Sequence, residues 1–436
     1  MKNFKLGLTL LGAKTVYRLI RLTNAGEGTS FIGSLVLKLD PSFIKKASDL
    51  ILGAKIAVTG TNGKTTTSGI IFHILENNGR NVIANSKGAN MLTGVANAFA
   101  LSLNLSKKYE NCVIESDEAY LAKIQKSLNT QYLLVTNLFR DQLDRYGELE
   151  FTKQKIQEGI DVNSDVQLVL NADDPLVSSL KSSKSTIYYG VNSVVDNTGA
   201  PSTSSPDEIF NCPCGNRLNY AKKFYAQQGH YSCSCGYSRP RPQFEADIVL
   251  EKDFSVIKLG EEEFRVPLVG LFNAYNALGA IALLKTIGVE KINEGLSTFK
   301  TAFGRSETRE VRGHRTIIQL IKNPAGASQV LRSVDLESNV VIMINDNYAD
   351  GRDVSWLWDT DFERLAPVKN KIIVSGIRAN DMATRLKYAG VPVDKIEVVS
   401  GVEDAIDYVT TIAENNITIL PSYTALLELN KLWKKF

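Results

Sequence analysis

The stretch "TGTNGKTTTSG", residues 59 to 69, directly follows the apolar run Ile56-Ala57-Val58. Glycines, a lysine and hydroxyl side chains in this order suit a phosphate-gripping turn between a strand and a helix. The backbone N–H groups of Gly60, Thr61, Asn62, Gly63, Lys64, Thr65 and Thr66, with the positive end of the helix they open, are placed to receive the phosphates of ATP. Lys64 would supply a cation to the outer phosphates and Thr65 a hydroxyl ligand for Mg2+. A strict P-loop would have glycine at position 58, where this chain has Val58, so the loop is a shortened and more particular form. A merely structural turn has no need of the lysine and threonine together. The metal also needs a carboxylate. Glu115 and Glu118, in "IESDEAYL" behind the apolar run Cys112-Val113-Ile114, stand at the carboxyl end of a buried strand, where open α/β sheets bind ligands. Spacing does not decide between the two, and we favour Glu115.

Four of the five cysteines form two close pairs, Cys212 with Cys214 in "CPCG" and Cys233 with Cys235 in "CSCG". Paired cysteines followed by glycine on two tight turns suit tetrahedral thiolate ligation of zinc in a ribbon. Disulfides are the competing reading. The basic N-terminus lacks a small-residue cleavage site, which points to the cytosol, where disulfides rarely persist. The C-x-C spacing is tighter than the usual C-x-x-C, so His230, three residues before Cys233, is an alternative ligand. Cys112 lies in an apolar run and is expected to be inert.

These groups need a scaffold of alternating strands and helices. "KIAVTG" is expected to be a strand, "TTTSGIIFHILENNG" a helix ended by Gly79, and "NVIAN", "CVIES", "YLLVTN" and "VQLVLN" further short strands. That alternation means a mostly parallel sheet wrapped by helices. Residues 193 to 245 break the rhythm with the polar "NSVVDNTGAPSTSSPDE" and the cysteine module, so 205 to 240 are expected to be an inserted ribbon. The pattern resumes in the helix "GLFNAYNALGAIALLKTIG", and from about 301 a second βα series runs through "TIIQLI", "NVVIMIN", "NKIIVSG", "KIEVVS" and "ITILPS". The expected division is an N-terminal helical segment over 1–45, a central domain over 46–300 and a smaller α/β domain over 301–436. In the first segment a polar stretch, "TNAGEGTSFIG", leads to a helix near 41 to 51. The start, "MKNFKLGLTLLGAKTVYRLIRLTNAG", is expected to be a cationic amphipathic helix, packed on the first domain or resting on a membrane surface.

The net charge of +3 is too small for a nucleic-acid binder, and no apolar run approaches the roughly eighteen residues of a membrane span.

"TGTNGKTT" resembles the ATP-binding loop of the Mur ligases and folylpolyglutamate synthases, which join an amine to a carboxylate through an acyl phosphate. Further stretches agree in order. "TNLFRDQLDRYGE" (136–148) resembles a strand-end segment with an acidic pair, here Asp141 and Asp144, and "NADDP" (171–175) a family turn. "GLFNAYNALGA" resembles the helix whose asparagines meet adenine, implying Asn273 and Asn276, and "FGRSE" (303–307) implies Arg305 near phosphate. Departures narrow the match. Phe272 and Gln142 replace family histidines, "KNPAG" puts Lys322 in the histidine position of the last domain's "HNP" loop, and the cysteine ribbon is foreign to amino-acid-adding ligases. With "GANM" (88–91) and "NDNYADGRDVSWLWDTDFE" (345–363), these features closely resemble the MurT family. Its members are synthetase subunits of the lipid II isoglutaminyl synthases of Gram-positive bacteria.

The resemblance implies a Mur-ligase-like central P-loop domain, an inserted zinc ribbon and a Rossmann-like C-terminal α/β domain. It implies ATP-dependent amidation of the D-glutamate α-carboxylate in the lipid II stem peptide, and a heterodimer with a glutaminase subunit, called GatD in that family. It also implies that Asp353 serves the partner's Cys–His pair, and a place in the cytoplasm, free or peripheral at the inner membrane face. The residues agree on the partner: releasing ammonia from glutamine needs an activated cysteine with a histidine base. The chain has only His73, His230 and His314, and no cysteine with a nucleophile's surroundings. Ammonia therefore comes from another subunit, or the nucleophile is not ammonia. The rivals are a stand-alone amino-acid-adding ligase, which "KNPAG" argues against, and a non-catalytic nucleotide-binding scaffold, which would not need Lys64, Thr65 and an acidic metal anchor together.

Overall fold

The computed structural model describes residues 2–22, 29–85, 89–139, 149–198, 211–300, 305–414 and 416–433. Two sheets organise it. The first has nine strands in the order β11-β10-β9-β6-β5-β4-β1-β3-β2. These are β1 Lys55–Thr59, β2 Val82–Ala84, β3 Asn111–Glu115, β4 Tyr132–Val135, β5 Gln167–Asn171, β6 Ile187–Asp196, β9 Phe244–Leu250, β10 Ser255–Leu259 and β11 Glu262–Val266; β7 Asn219–Tyr225 and β8 Gln228–Ser232 form a separate hairpin. The strands from β2 to β9 pair in parallel. β1, β3, β4 and β5 are apolar over nearly their whole length because helices cover both faces.

Among the helices that flank this sheet's first half are α1 Lys2–Leu22, α2 Thr29–Leu39, α3 Phe43–Ser48, α4 Lys64–Asn77 and α5 Leu92–Ser102. On one face Leu6, Leu10, Ile32, Val36, Phe43 and Phe99 share a core with Ile83, Cys112 and Ile114. On the other, α4 packs with α6, Leu271–Thr286, which is buried along almost its entire length. Register fixes the chemistry: β1 lies between β3 and β4, with Val58 beside Glu115 and Thr59 beside Val135, so the loop after β1 opens onto the ends of both neighbours.

The second sheet runs β12-β13-β17-β14-β15-β16, comprising Arg305–Val311, His314–Gln319, Ile417–Pro421, Asn339–Met343, Ile372–Ser375 and Ile396–Val398. It is parallel except for the β12–β13 hairpin. Helix α7, Pro324–Arg332, follows β13.

Several expectations need correction. A helix begins at Thr29 inside the stretch read as polar, because Phe31, Ile32, Leu35 and Val36 give it an apolar face, and the next helix shrinks to Phe43–Ser48. Residues 193–196 belong to β6 rather than to a polar break. After residue 244 the chain does not resume βα alternation but makes an antiparallel meander, β9-β10-β11, before α6. The edge strand β12 was not anticipated.

Candidate active site

The phosphate loop bends at two glycines with positive φ. Gly60 (φ +122°) passes so close to β4 that an added Cβ would lie 2.4 Å from Thr136 Oγ1. Gly63 (φ +84°) caps α4, and an added Cβ would lie 1.9 Å from Asn276 Oδ1. Only glycine suits both places. The β4 end grips the loop: Asn62 N–H donates to Asn137 Oδ1 at 2.9 Å, while Thr136 Oγ1 (2.7 Å) and Asn137 Nδ2 (3.1 Å) donate to the Asn62 carbonyl. Thr61 N–H donates to the Asn137 carbonyl at 2.9 Å.

Lys64 Nζ donates to the Gly60 carbonyl at 2.5 Å and the Thr61 carbonyl at 3.2 Å, and pairs with Glu118 Oε1 at 3.0 Å. Burial works against its charge, but Glu118, Glu115 and Asp117 outweigh it and hold the ammonium above its ordinary range. Burial likewise raises the Glu118 carboxyl, against the pull of Lys64. Glu115 ends β3 almost fully buried, positioned by Asn85, whose side chain bonds both its N–H and its carbonyl. Its Oε1 accepts from Asn90 Nδ2 at 3.3 Å. The Thr65 hydroxyl makes no hydrogen bond among the described residues, and Thr66 lines the adjoining cleft. A hydroxyl and two carboxylates are the oxygen donors a hard cation such as Mg2+ takes.

That cleft lies between α4, α6 and α7 and includes Phe272, Asn273, Asn276, Lys322 and Gly326. Asn273 Nδ2 donates to the Val269 carbonyl at 2.9 Å. The second domain touches the loop itself. Asn62 Nδ2 donates to Asn323 Oδ1 (3.2 Å) and Asn323 Nδ2 to Asn62 Oδ1 (3.0 Å), while Lys322 Nζ reaches the Thr61 carbonyl at 3.4 Å. Asn323 Oδ1 also accepts from Gly326 N–H and so caps α7.

The cysteines come together as expected. All four sulfurs lie within 4.8 Å of one another, with Cys212–Cys235 at 3.4 Å and Cys214–Cys233 at 3.6 Å. Zinc–sulfur bonds of about 2.3 Å set tetrahedral sulfurs about 3.8 Å apart, so the cluster fits that ion. The turns match: Gly215 and Gly236 both have positive φ and donate to the carbonyls of Cys212 and Cys233. His230 is not part of this cluster, whose four sulfurs already supply four ligands, and its Nε2 is hydrogen-bonded to the Val191 carbonyl at 2.8 Å. Cys112 is fully buried, and burial pushes its thiol up to about 12.

Asp353 stands apart, in the loop leaving the carboxyl end of β14. Its Oδ1 accepts from Ser355 N–H at 2.8 Å, and its other oxygen meets no donor among the described residues. Asp141, Gln142 and Asp144 lie outside the described residues, as do Gly88 and the side chain of Arg305. Sequence reasoning missed Thr136, Asn137, Asn85, Asn90 and Asn323. Only Asn323 carried a local signal, an asparagine before a proline at a helix start.

Residues 58–284 match the model of the Mur ligase middle domain, and residues 320–426 that of the MurT ligase C-terminal region. A Staphylococcus aureus protein named lipid II isoglutaminyl synthase (glutamine-hydrolyzing) subunit MurT is 36% identical over 411 residues, covering 92% of this chain and 91% of that protein. Its Streptococcus pneumoniae namesake is 32% identical over 441 residues, covering 99% and 97%. The chain belongs to the MurT family. In fold it is similar to a pseudomurein peptide ligase type C from Methanothermus fervidus (TM-score 0.68, 23% identity, 92% of this chain and 84% of that one) and to MurF from Acinetobacter baumannii (0.65, 17%, 92% and 80%). The MurT relatives are named as subunits of a larger enzyme, and a role in peptidoglycan synthesis as an ATP-dependent ligase follows from membership.

Proposed function

We propose that this MurT-family chain uses ATP to convert the D-glutamate α-carboxylate of the lipid II stem peptide to an amide through an acyl phosphate, with ammonia from a GatD-like glutaminase subunit. The observation that carries this reading is the buried, positively charged Lys64 in a loop with Thr65, facing Glu115 and Glu118. The carboxylate oxygen attacks the γ-phosphorus and ADP leaves; ammonia then attacks the carbonyl carbon, the C–O bond to phosphate breaks, and nitrogen gives up a proton. Lys64 and the amides of residues 60–66 balance charge on the transferred group, where fixed donors act most strongly. Mg2+, held by Thr65 and a carboxylate, would neutralise phosphate charge. Glu118 is engaged by Lys64, and Glu115 accepts only one amide among the described residues, which supports Glu115 as the ligand. Asn273 and Asn276 would meet adenine in the cleft beside Gly63, and Arg305 the phosphates.

Asp353 would orient the imidazole of the partner's Cys–His pair through its open oxygen. A glutaminase in another subunit agrees with the state of the cysteines here: one is buried with a raised pKa and four are clustered. On this reading residues 1–45 form an N-terminal segment, 46–300 the ATP-binding domain with a zinc ribbon at 205–240, and 301–436 the domain that meets the partner. The reaction would take place on the cytoplasmic side, next to the inner membrane face.

The test supplies lipid II, ATP and ammonium to the purified chain. The expected product is lighter by the difference between a hydroxyl and an amino group. A product heavier by an amino-acid residue, or no ATP-dependent change, would overturn the reading.

A further inference from the structure

Helix α1 has two apolar faces. Leu6, Leu10 and Ala13 point into the core shared with α2, α3 and α5. Leu8, Leu11, Leu19 and Leu22 are 55%, 65%, 57% and 81% exposed. At 3.6 residues per turn these four fall within an arc of about 80° on the opposite side of the helix. Leu105, 50% exposed, widens the stripe: its Cδ1 lies 3.7 Å from where a Gly7 Cβ would stand. Nothing among the described residues covers this face.

Charge identifies the occupant. Residues 1–26 carry five basic residues (Lys2, Lys5, Lys14, Arg18 and Arg21) and no acid, a local charge of +5, although Lys14 is turned inward, its Nζ donating to the Leu103 carbonyl at 2.5 Å. The whole chain is +3, so the other 410 residues sum to −2. Arg18 is exposed at the stripe's edge, and Lys107 and Lys108 are exposed just beyond Leu105. Exposed leucines bordered by cations, on a helix with no acid, are what an anionic bilayer surface holds in its interface. No helix among the described residues is long and apolar enough to cross a membrane, so a bilayer contact of α1 would run along its surface rather than through it.

We propose that the outer face of α1, with Leu105, Lys107 and Lys108, docks the protein on an anionic membrane surface. The proposal is independent of the reaction above, and its test contains neither ATP nor lipid II. The full chain is floated with vesicles of phosphatidylcholine alone or with roughly a third phosphatidylglycerol. Binding is expected only to the anionic vesicles, weakening as salt rises. The pair Leu11→Glu with Leu19→Glu should lower the bound fraction about tenfold or more, with thermal melting unchanged because both side chains are exposed. The pair Lys107→Gln with Lys108→Gln should weaken binding without touching the helix. Failure of the wild-type chain to float with anionic vesicles, or undiminished binding by the leucine pair, would overturn the proposal. So would a dimer in sedimentation that the leucine pair dissolves, since a second copy would then cover the face.

Discussion

Lys64 keeps its charge in a buried place because Glu118, Glu115 and Asp117 compensate it, while the Gly60 and Thr61 carbonyls accept its hydrogen bonds. An alanine there leaves the loop's backbone intact, since that conformation rests on Gly60, Gly63, Thr136 and Asn137. Lys64→Ala should therefore cut ATP-dependent turnover about a hundredfold or more while the chain stays folded, and Thr65→Ala should act the same way through the metal. Near-full activity in either variant would sink the nucleotide assignment. Asp174 offers a test of stability instead. Its oxygens accept from the N–H groups of Leu138, Leu176 and Val177 and from Gln227, yet burial dominates and pushes the carboxyl up to about 6 from 3.8. Between those values the folded chain holds a proton that the unfolded chain has lost, so its contribution is present at low pH and disappears as pH rises through about 6. Compared with Asp174→Asn, the wild type should lose roughly 2 kcal/mol of unfolding free energy between about pH 4 and pH 7. Denaturant melts at several pH values measure it, and parallel profiles would refute it.

At the scale of elements, the hairpin β7–β8 is a small unit whose own core is little more than Cys212, Leu218, Tyr231 and Cys233. It is tied to the central domain by Tyr231 and Tyr237, whose hydroxyls reach Ser178 Oγ and the Pro175 carbonyl, both at 2.5 Å. A metal on the four cysteines would add order to so small a core. Purified protein should carry about one zinc per chain, lost when Cys233 and Cys235 are both replaced by serine. Metal analysis finding none, with freely titrating thiols, would reject the site. Asn323 joins two elements: its Oδ1 caps α7, while its amide exchanges bonds with Asn62. Asn323→Asp keeps the cap but sets two oxygens against each other, so melting should hold while ATP affinity falls severalfold. Calorimetric titration with unchanged affinity would show that the contact is incidental. Local signals were legible in the sequence: glycines at the loop, runs apolar on both faces for β1, β3 and β4, and matched C-x-C-G turns. The clasp was not, because Asn62 and Asn323 are 261 residues apart, and a loop asparagine and a helix-capping asparagine do not reveal that they meet. Nor was the β9–β11 meander, whose alternating apolar residues do not reveal the direction of pairing.

In the whole molecule, chemistry is divided between two sheets. The first supplies the phosphate loop and its carboxylates. The second touches that loop through Lys322 and Asn323, and carries Asp353 on the loop after β14. Asp353 bonds only to Ser355 N–H among the described residues, a local turn that fixes one oxygen and leaves the other open. A carboxylate held this way is suited to a group brought by another chain. If it orients a histidine of the partner, Asp353→Asn should cripple glutamine-driven amidation, because the amide keeps size and hydrogen bonding but removes the charge that stabilises an imidazolium. ATP binding should survive, since among the described residues Asp353 bonds only to Ser355 and not to the phosphate loop. Ammonium chloride should then restore most of the amidation by bypassing glutamine hydrolysis. If Asp353 instead binds metal or the D-glutamyl substrate, ammonium and glutamine will fail alike, and the residue belongs to the synthetase site. Measuring both nitrogen sources on one variant separates the two positions without a structure of the complex.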